Sequence, residues 1–265
     1  MSPLITLTTD FGTRDPYVAS MKGVIATICP AAQVVDLTHE IAPQSILEGA
    51  LFAAAACPCF PKDTVHVLVV DPGVGAENPD GPVRLPIAVL AGGQCFVCPN
   101  NGLLTLVTRT YPFDEARAIS NPRFMGDRIS PTFHGRDVFA PAAARLAGGA
   151  PFADVGERLE RLVELAIPRP ALSPKGGMTG EVIHIDRFGN AVTNIHASAV
   201  GAGPIREVQA ASLIVRGPMK TYGDVDPGQP LALFGSSGYL EIAVNRGNAA
   251  AEFGMRRGDP VATRP

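Results

Sequence analysis

The sequence predicts an N-terminal α/β domain with a central, mostly parallel sheet, followed by a smaller all-β domain of barrel or sandwich type. Apolar strands alternate with helices in the first half, and the most apolar strand is a nearly continuous run typical of burial on both faces. A proline- and glycine-rich segment then leads into short strands with little helix. We therefore expect domains at residues 1–167 and 179–265, joined by a linker at 168–178.

The strands are predicted from runs of β-branched and apolar residues bounded by turn-forming residues. In the first half they are Leu4–Thr9, Gln33–Thr38, Val65–Val70, Ile87–Leu90 and Cys95–Val97. In the second half they are Gly180–Ile185, Ala191–Ile195, Ser212–Val215, Pro230–Phe234, Tyr239–Val244 and Val261–Thr263.

Three helices are predicted between the strands of the first half. Each has a signal at one end: an N-cap followed by proline, a capping box, or paired glycines after the last turn. The helices and their signals are Val18–Ile28 after Asp15-Pro16, Ile46–Cys57 after Ser45 with Glu48, and Asp137–Leu146 before Gly148-Gly149.

Composition excludes several classes of protein. Hydrophobic residues make up 46% of the 265 residues, which excludes a disordered chain, and a net charge of -3 gives no basic surface for nucleic acid. No apolar run reaches the roughly 18 residues of a membrane span, and the start lacks the pattern of a secretion signal. Five cysteines, an odd number, favour reduced thiols, so we expect a cytoplasmic protein.

Polar residues collect where apolar strands end. Asp10 follows the first strand, Thr38-His39-Glu40 the second, and Asp71–Gly75 the third. A single aspartate at a strand end usually forms a turn, but ligands of α/β sheets bind at the carboxyl ends of the strands. Three polar groups at one edge therefore predict a site. The two glycines of Asp71–Gly75 allow close backbone approach, although their spacing matches neither common phosphate-binding fingerprint.

His134 lies in a second polar cluster, Thr132–Asp137, where a histidine beside glycine at a helix start could act as a base or orient a ligand; taken alone, a structural role is an equal alternative. A metal-dependent hydrolase using Asp10, His39, Asp71 and His134 is an alternative hypothesis. The usual metal-binding spacings of histidine are absent, so we expect no metal.

Other candidates for function have simpler interpretations. His66 lies inside an apolar strand and is expected to be a core residue. Cys95 and Cys98 form a C-x-x-C in a strand-and-turn context, so buried free thiols are expected rather than a redox pair. In the second half, the segment Asp186–Asn190 combines an aromatic face with directional polar groups, which suits a heteroaromatic ligand that carries amino or hydroxyl groups. Taken by itself, the segment is more simply explained as a hairpin turn.

Seven motifs, in order from about Leu4 to Gly254, resemble those of the S-adenosyl-L-methionine (SAM) hydroxide adenosyltransferases, which are related to fluorinase and chlorinase. The ordered set carries the resemblance, since each motif alone is weak. The motifs are TDFG at Thr9–Gly12, VDLTH at Val35–His39, VVDPGVG at Val69–Gly75, PNNGLLT at Pro99–Thr105, TFHGRDVFAP at Thr132–Pro141, IDRFGN at Ile185–Asn190 and SSGYLEIAVN at Ser236–Asn245.

The resemblance implies a homotrimer that binds SAM between the N-terminal domain of one subunit and the C-terminal domain of its neighbour. It implies attack of water or hydroxide on the ribose C5′, which releases adenosine and methionine without a metal or cofactor. It also implies an Asp-Arg-His triad, in which Asp71 and His134 match the motifs. The family arginine usually stands nearer the aspartate, where this chain has Asn78, and we assign its role to Arg84 before the next strand.

The resemblance also implies binding residues. Asp10 is expected to hold the ribose hydroxyls, Asp186 the ammonium group of the methionine moiety, and Ser236 and Ser237 its carboxylate. The halogenases carry arginine at the position of Ser237, so carboxylate recognition is expected to be weaker. The remaining expected contacts are Val74, Gly135, Phe188, Asn190, Tyr239, Asn245 and Arg246.

Two further alternatives bear on the reaction. A carboxylate at Asp71 would repel a halide ion, which argues against fluorinase or chlorinase activity. A SAM or adenosine sensor without catalysis is the second alternative, favoured if Arg84 does not occupy the triad position.

Overall fold

Two units make up the chain, Met1–Leu165 and Ala166–Pro265. The structure is a computed structural model that describes residues 2–75, 84–173, 176–200 and 205–265. Within these ranges no helix is long and apolar enough to cross a membrane.

The first unit is built on a six-stranded sheet in the order β2-β1-β3-β5-β4-β6. Its strands are β1 (Leu4–Thr9), β2 (Gln33–Thr38), β3 (Val65–Val69), β4 (Pro86–Ala91), β5 (Gln94–Pro99) and β6 (Phe113–Ala118). Strand β1 pairs in parallel with β2 and β3, and β3 pairs in parallel with β5. The pairings of β4 with β5 and β6 are antiparallel, so the sheet is mixed.

Among the described residues of this unit, four α-helices accompany the sheet: α1 (Tyr17–Ile28), α2 (Ile46–Ala56), α3 (Thr105–Thr110) and α4 (Ala140–Ala147). The sheet is buried on both faces. Alternate residues of β3 point to opposite sides of the sheet, and each side packs against an apolar cluster. Val67 belongs to one apolar cluster together with Met21 of α1 and Ala143 of α4. Leu68 belongs to a second cluster together with Ala53 of α2. Burial on both sides explains the nearly continuous apolar run of this strand.

The helix boundaries match the expectations better than the caps do. Helix α1 begins after Pro16, which occupies the cap position itself, and Ser45 makes no side-chain capping bond to α2. The predicted N-cap at Asp15 and the predicted capping box are therefore wrong. The third predicted helix begins as a π-helical turn at Gly135–Phe139 and continues as α4. Helix α3 and strand β6 were not predicted.

In the part of the second unit that the structure describes, an eight-stranded sheet is accompanied by the short α-helix α5 (Ala249–Phe253). The hydrogen-bonded order is β11-β10-β14-β8-β9-β13-β12, and β7 pairs with β8. The end strands β11 and β12 lie near each other, which gives the sheet a barrel-like curl. The strands are β7 (Ala171–Leu172), β8 (Met178–Ile185), β9 (Ala191–His196), β10 (Glu207–Ala210), β11 (Leu213–Arg216), β12 (Pro230–Phe234), β13 (Tyr239–Val244) and β14 (Pro260–Arg264).

Apolar residues that alternate along these strands form the core of the second unit, among them Val182, Ile195 and Ile242. Strands β7 and β10 and helix α5 were not predicted. Strand β7 lies inside the segment that the sequence suggested as a linker.

Candidate active site

The site in the first unit is centred on the carboxyl ends of β1 and β3. These strands are neighbours and run in parallel, so the residues that follow them emerge at the same edge of the sheet. Asp10 follows β1, and Asp71 follows β3 by two residues. The structure thus gives both aspartates the strand-end placement that the sequence indicated.

Asp71, Arg84 and His134 form a connected triad. Arg84 donates from Nε to Asp71 Oδ1 over 2.8 Å, and its Nη2 pairs with Asp71 Oδ2, so the guanidinium grips the carboxylate at two points. Arg84 Nη1 donates to His134 Nδ1 over 3.1 Å. Only 5% of the Asp71 side chain and 13% of the Arg84 side chain are exposed, which strengthens the attraction between the two charges. Asn78, where the resemblance would place the arginine, lies outside the described residues.

The charges in the triad determine the state of the histidine. Burial and the positive charge of Arg84 hold the pKa of His134 below its usual 6.5, so the ring is neutral at pH 7. Burial also lowers the pKa of Arg84, to about 10, which leaves it protonated at that pH. Because a protonated guanidinium can only donate, His134 Nδ1 must accept, and the ring proton is on Nε2.

Two local features hold Asp71 and His134 together. Gly75 has a φ of +68°, and a Cβ atom there would lie 2.1 Å from the carbonyl oxygen of Pro131. The loop after β3 therefore packs directly on the loop that carries His134, and only glycine permits this approach. Asp137 closes the second loop by accepting from the backbone N–H of Ser130 over 2.8 Å.

An aromatic cleft, which the sequence analysis did not predict, lies beside these residues. Its volume is about 340 Å³, and its walls include Phe11, Tyr17, Phe133 and Arg136. The three rings contact one another with centroids 5.1 to 6.1 Å apart. Phe11 follows Asp10 and Phe133 precedes His134 in the sequence. This adjacency to motif residues is the sequence feature from which the cleft could have been predicted.

The other expected contacts of the first unit are part of the same framework. The backbone N–H of Val74 donates to the Asp71 carbonyl over 3.2 Å. Gly135 is buried, and a Cβ atom there would lie 3.2 Å from Phe11 and from Phe133. Both residues thus shape the loops around the triad through their backbone.

The structure does not gather the four residues of the metal hypothesis into a ligand group. His39 is engaged elsewhere: Nδ1 lies 2.9 Å from Thr9 Oγ1, and Nε2 lies 3.1 Å from Asp36 Oδ1. Across the described ranges, no three His, Cys, Asp or Glu side chains are arranged to hold a metal ion.

In the second unit, Asp186 organises the loop between β8 and β9. Its Oδ1 accepts from the backbone N–H groups of Phe188 and Asn190, and its Oδ2 accepts from the Asn190 side chain, each over 2.8 to 2.9 Å. This structural role of the Asp186 carboxylate was not predicted. The loop presents Phe188 to solvent, with 74% of that residue exposed.

A second turn packs against this loop. Ala250 N–H donates to the Gly189 carbonyl over 2.9 Å, and a Cβ atom on Gly189 would collide with the Asn248 side chain. The structure therefore brings the predicted segments 186–190 and 245–248 together. Within the second of these, the Asn245 side chain donates to the Val225 carbonyl over 2.7 Å, while Arg246 is exposed in a left-handed conformation with φ of 57°.

The remaining expected contacts lie at the turn between β12 and β13. Ser236 and Ser237 are exposed in this turn. The ring of Tyr239 packs edge-on against His196, with centroids 5.1 Å apart.

Two expectations about buried groups are confirmed. His66 is fully buried, bonds Thr6 Oγ1 over 2.7 Å and stacks on Phe96, and burial lowers its pKa to about 4. All five cysteines lie within the described ranges and are free thiols; Cys95 and Cys98 are buried, and burial raises the pKa of Cys95 to about 12.

Comparison with known families decides the affiliation. Residues 5–156 match the family model described as SAM hydroxide adenosyltransferase N-terminal domain, and residues 180–262 match the corresponding C-terminal domain. The chain belongs to the SAM hydroxide adenosyltransferase family. The two matched regions contain the seven motifs from which the resemblance was inferred.

Members of this family with curated names cover nearly the whole chain. An (R)-S-adenosyl-L-methionine hydrolase from Salinispora arenicola is 40% identical, over 98% of this chain and 97% of that protein. A fluorinase from Actinoplanes sp. is 30% identical, over 97% and 96% respectively. A crystal structure of a conserved protein from Thermotoga maritima superposes with a TM-score of 0.88 at 36% identity, covering 99% of this chain and all of that chain.

Proposed function

We propose that this protein hydrolyses SAM to adenosine and methionine. The observation that carries the proposal is the triad of Asp71, Arg84 and His134 beside an aromatic cleft. Relatives at 40% identity are named for this activity, whereas the fluorinase relative is 30% identical. Their names specify the (R) form of SAM, and we propose the same form as the substrate here.

The reaction itself requires little acid catalysis. Water attacks the ribose C5′, the C5′–O bond forms, and the electrons of the C5′–S bond return to sulfur. Methionine therefore leaves as a neutral thioether, and one proton is released. The demand on the protein is to orient a poor nucleophile and to accept its proton.

The hydrogen-bond inventory favours Asp71 as the group that receives this proton. Arg84 can only donate, and the Nδ1 lone pair of His134 is already used by Arg84. Each carboxylate oxygen of Asp71 retains acceptor capacity beyond its bond to Arg84. His134 Nε2–H is then a donor that orients the water, and Arg84 holds both partners in place.

The chemistry near the triad also disfavours a halide as the nucleophile. A chloride or fluoride ion must shed water and approach a positive or neutral pocket. In our proposal the nucleophile lies beside Asp71, whose charge Arg84 balances but does not exceed, so a halide would find no net positive charge there. Water, which is neutral, meets no such barrier.

We place the second half of the site on the C-terminal unit of a neighbouring subunit in a homotrimer. Asp10 would hold the ribose hydroxyls in one subunit, and the loop carrying Asp186, Phe188 and Asn190 would engage the methionine moiety from the next. The exposed ring of Phe188 supports this, since a ligand would cover it. The three bonds that Asp186 already accepts leave it about one acceptor position for an ammonium group. No cofactor and no nucleic acid or membrane partner is part of the proposal, and we place the reaction in the cytoplasm.

Product analysis tests the reaction. Chelator-treated protein is incubated with (R)-SAM in halide-free buffer, and adenosine and methionine are quantified by chromatography. Equal amounts of the two products support hydrolysis without a metal. Intact SAM that remains tightly bound would support the alternative of a sensor.

Subunit mixing tests the shared site. Asp71→Asn and Asn190→Ala proteins are each expected to be inactive. If sites form between subunits, trimers that contain both variants recover some wild-type sites after co-refolding or co-expression. Co-expression of Asp71→Asn with His134→Asn is the matched control, because both changes lie in the N-terminal half-site, so every subunit lacks an intact N-terminal half-site and no wild-type site can form.

A further inference from the structure

The turn that carries Asp10 is tied to His39 on both sides. Before Asp10, the Thr9 hydroxyl lies 2.9 Å from His39 Nδ1, and it also accepts the backbone N–H of Phe11 over 3.2 Å. After Asp10, the backbone N–H of Gly12 donates to the His39 carbonyl over 2.7 Å. One residue therefore holds the chain on both sides of the aspartate.

The charge of Asp36 indicates which nitrogen of His39 carries a proton toward it. The Asp36 carboxylate is charged: burial would raise its pKa, but hydrogen bonds from Lys22 and His39 outweigh this and hold the pKa below its usual value. A carboxylate only accepts, so His39 Nε2 carries the proton toward Asp36, 3.1 Å away. Thr9 Oγ1 lies within hydrogen-bond distance of His39 Nδ1 on one side and accepts from Phe11 N–H on the other.

Burial makes the arrangement rigid. Thr9 is fully buried and His39 is 4% exposed, so these bonds do not compete with solvent. Lys22 anchors the far end of the chain of bonds, with Nζ 2.6 Å from Asp36 Oδ2. At the near end, one oxygen of Asp10 is already committed, because Oδ2 accepts from the backbone N–H of Gln44 over 2.8 Å.

From this geometry we propose that His39, acting through Thr9, is a positioning residue that orients Asp10 for recognition of the ribose diol. The proposal rests on the function proposed above, in which Asp10 binds the ribose. With Oδ2 held by Gln44 and the backbone turn held by His39, Oδ1 is the carboxylate oxygen that we assign to a diol hydroxyl. The assembly thus sets the preference for ribose over 2′-deoxyribose without touching the substrate.

The test is the binding of adenosine and 2′-deoxyadenosine to the full-length protein, measured by calorimetry. Wild-type protein is expected to prefer adenosine. Thr9→Val keeps the side-chain shape but removes the hydroxyl, and we expect it to lower this preference about 3- to 10-fold, mainly through weaker adenosine binding. Thr9→Ser retains the hydroxyl and is expected to keep the preference. His39→Asn, which still offers an acceptor to Thr9, is expected to lie between them.

The readout separates positioning from general damage. A merely structural role would weaken both nucleosides equally and leave their ratio unchanged, which would overturn the proposal. The same holds if Thr9→Ser loses as much preference as Thr9→Val. If Thr9→Val does not fold, the ratio measured for His39→Asn decides. If wild-type protein hydrolyses SAM but the variants keep the wild-type ratio of adenosine to 2′-deoxyadenosine affinity, only this inference is overturned. If wild-type protein binds neither nucleoside nor SAM, the proposed function is overturned as well.

Discussion

Replacing Arg84 by lysine is the sharpest perturbation of the triad. Arginine supplies three donors to two partners: two to Asp71 and one to His134. A lysine ammonium retains the charge, but it cannot hold the carboxylate at two points and also reach the imidazole. We therefore expect Arg84→Lys to keep the ion pair with Asp71 and to lose the bond to His134.

The size of the effect follows from the lost bond. A hydrogen bond to a charged donor contributes about 1.5–3 kcal/mol, and each 1.36 kcal/mol changes a rate about tenfold. If the full bond is needed in the transition state, kcat falls about 10- to 150-fold. KM should change little, since in our proposal Arg84 does not touch the substrate.

The assay is adenosine release at saturating SAM, followed by chromatography, together with thermal unfolding of each variant. Arg158→Lys is the matched control, because the Arg158 side chain is exposed and its ion pair with Glu160, at 3.7 Å, is a weak surface contact, so a wild-type kcat is expected. Arg84→Gln is expected to be more severe: it leaves the buried Asp71 carboxylate unpaired, which typically costs about 3–5 kcal/mol of stability. A wild-type kcat in Arg84→Lys would refute the assigned role of Arg84.

Three other predictions follow from the same structure. Protonation of His134 would break its bond from Arg84. Because burial and the charge of Arg84 hold the pKa of His134 below 6.5, kcat should be level above pH 7 and fall only at lower pH; a decline that begins above pH 7 would contradict this. Gly75→Ala places a methyl group against the Pro131 carbonyl at a position whose backbone is left-handed, so we expect kcat to fall about 100-fold. Gly149 is the matched control: its backbone is also left-handed, but the space around it is open, so Gly149→Ala should keep wild-type activity. The pKa of His66 is lowered to about 4, so the buried neutral ring makes its full contribution to the free energy of unfolding above pH 6.5. That contribution decreases as the pH falls, by about 3 kcal/mol at pH 4. Denaturant titrations should show this decrease in wild-type protein but not in His66→Gln.

Much of the secondary structure was accessible from local sequence pattern. The bounds of β1, β2, β12 and β13 agree with the predicted ranges, because alternation and β-branching are properties of adjacent residues. The errors occurred where local signals are weak or compete. Strand β6 contains Asp114, Glu115 and Arg117, which masked its strand character at the edge of the sheet.

The candidate catalytic residues were also identified before the structure, because the motifs placed Asp71 and His134 and the position before β4 suggested Arg84. The structural role of Asp186 was not predicted, since its bonds to Phe188 and Asn190 depend on how the loop closes. The aromatic cleft was missed for a similar reason. Phe11, Tyr17 and Phe133 are ordinary apolar residues until the fold places their rings together.

The sequence by itself therefore determined the order of elements, the polar residues at the strand ends and the family to which the chain belongs. Only the tertiary structure decided that β4 runs antiparallel between β5 and β6, and that His39 encloses the turn of Asp10. It also decided that Arg84 bonds both Asp71, 13 residues away in the sequence, and His134, 50 residues away. The physical reason is range: strand and helix patterns arise between near neighbours, whereas hydrogen-bond partners distant in sequence are selected by packing of the whole domain.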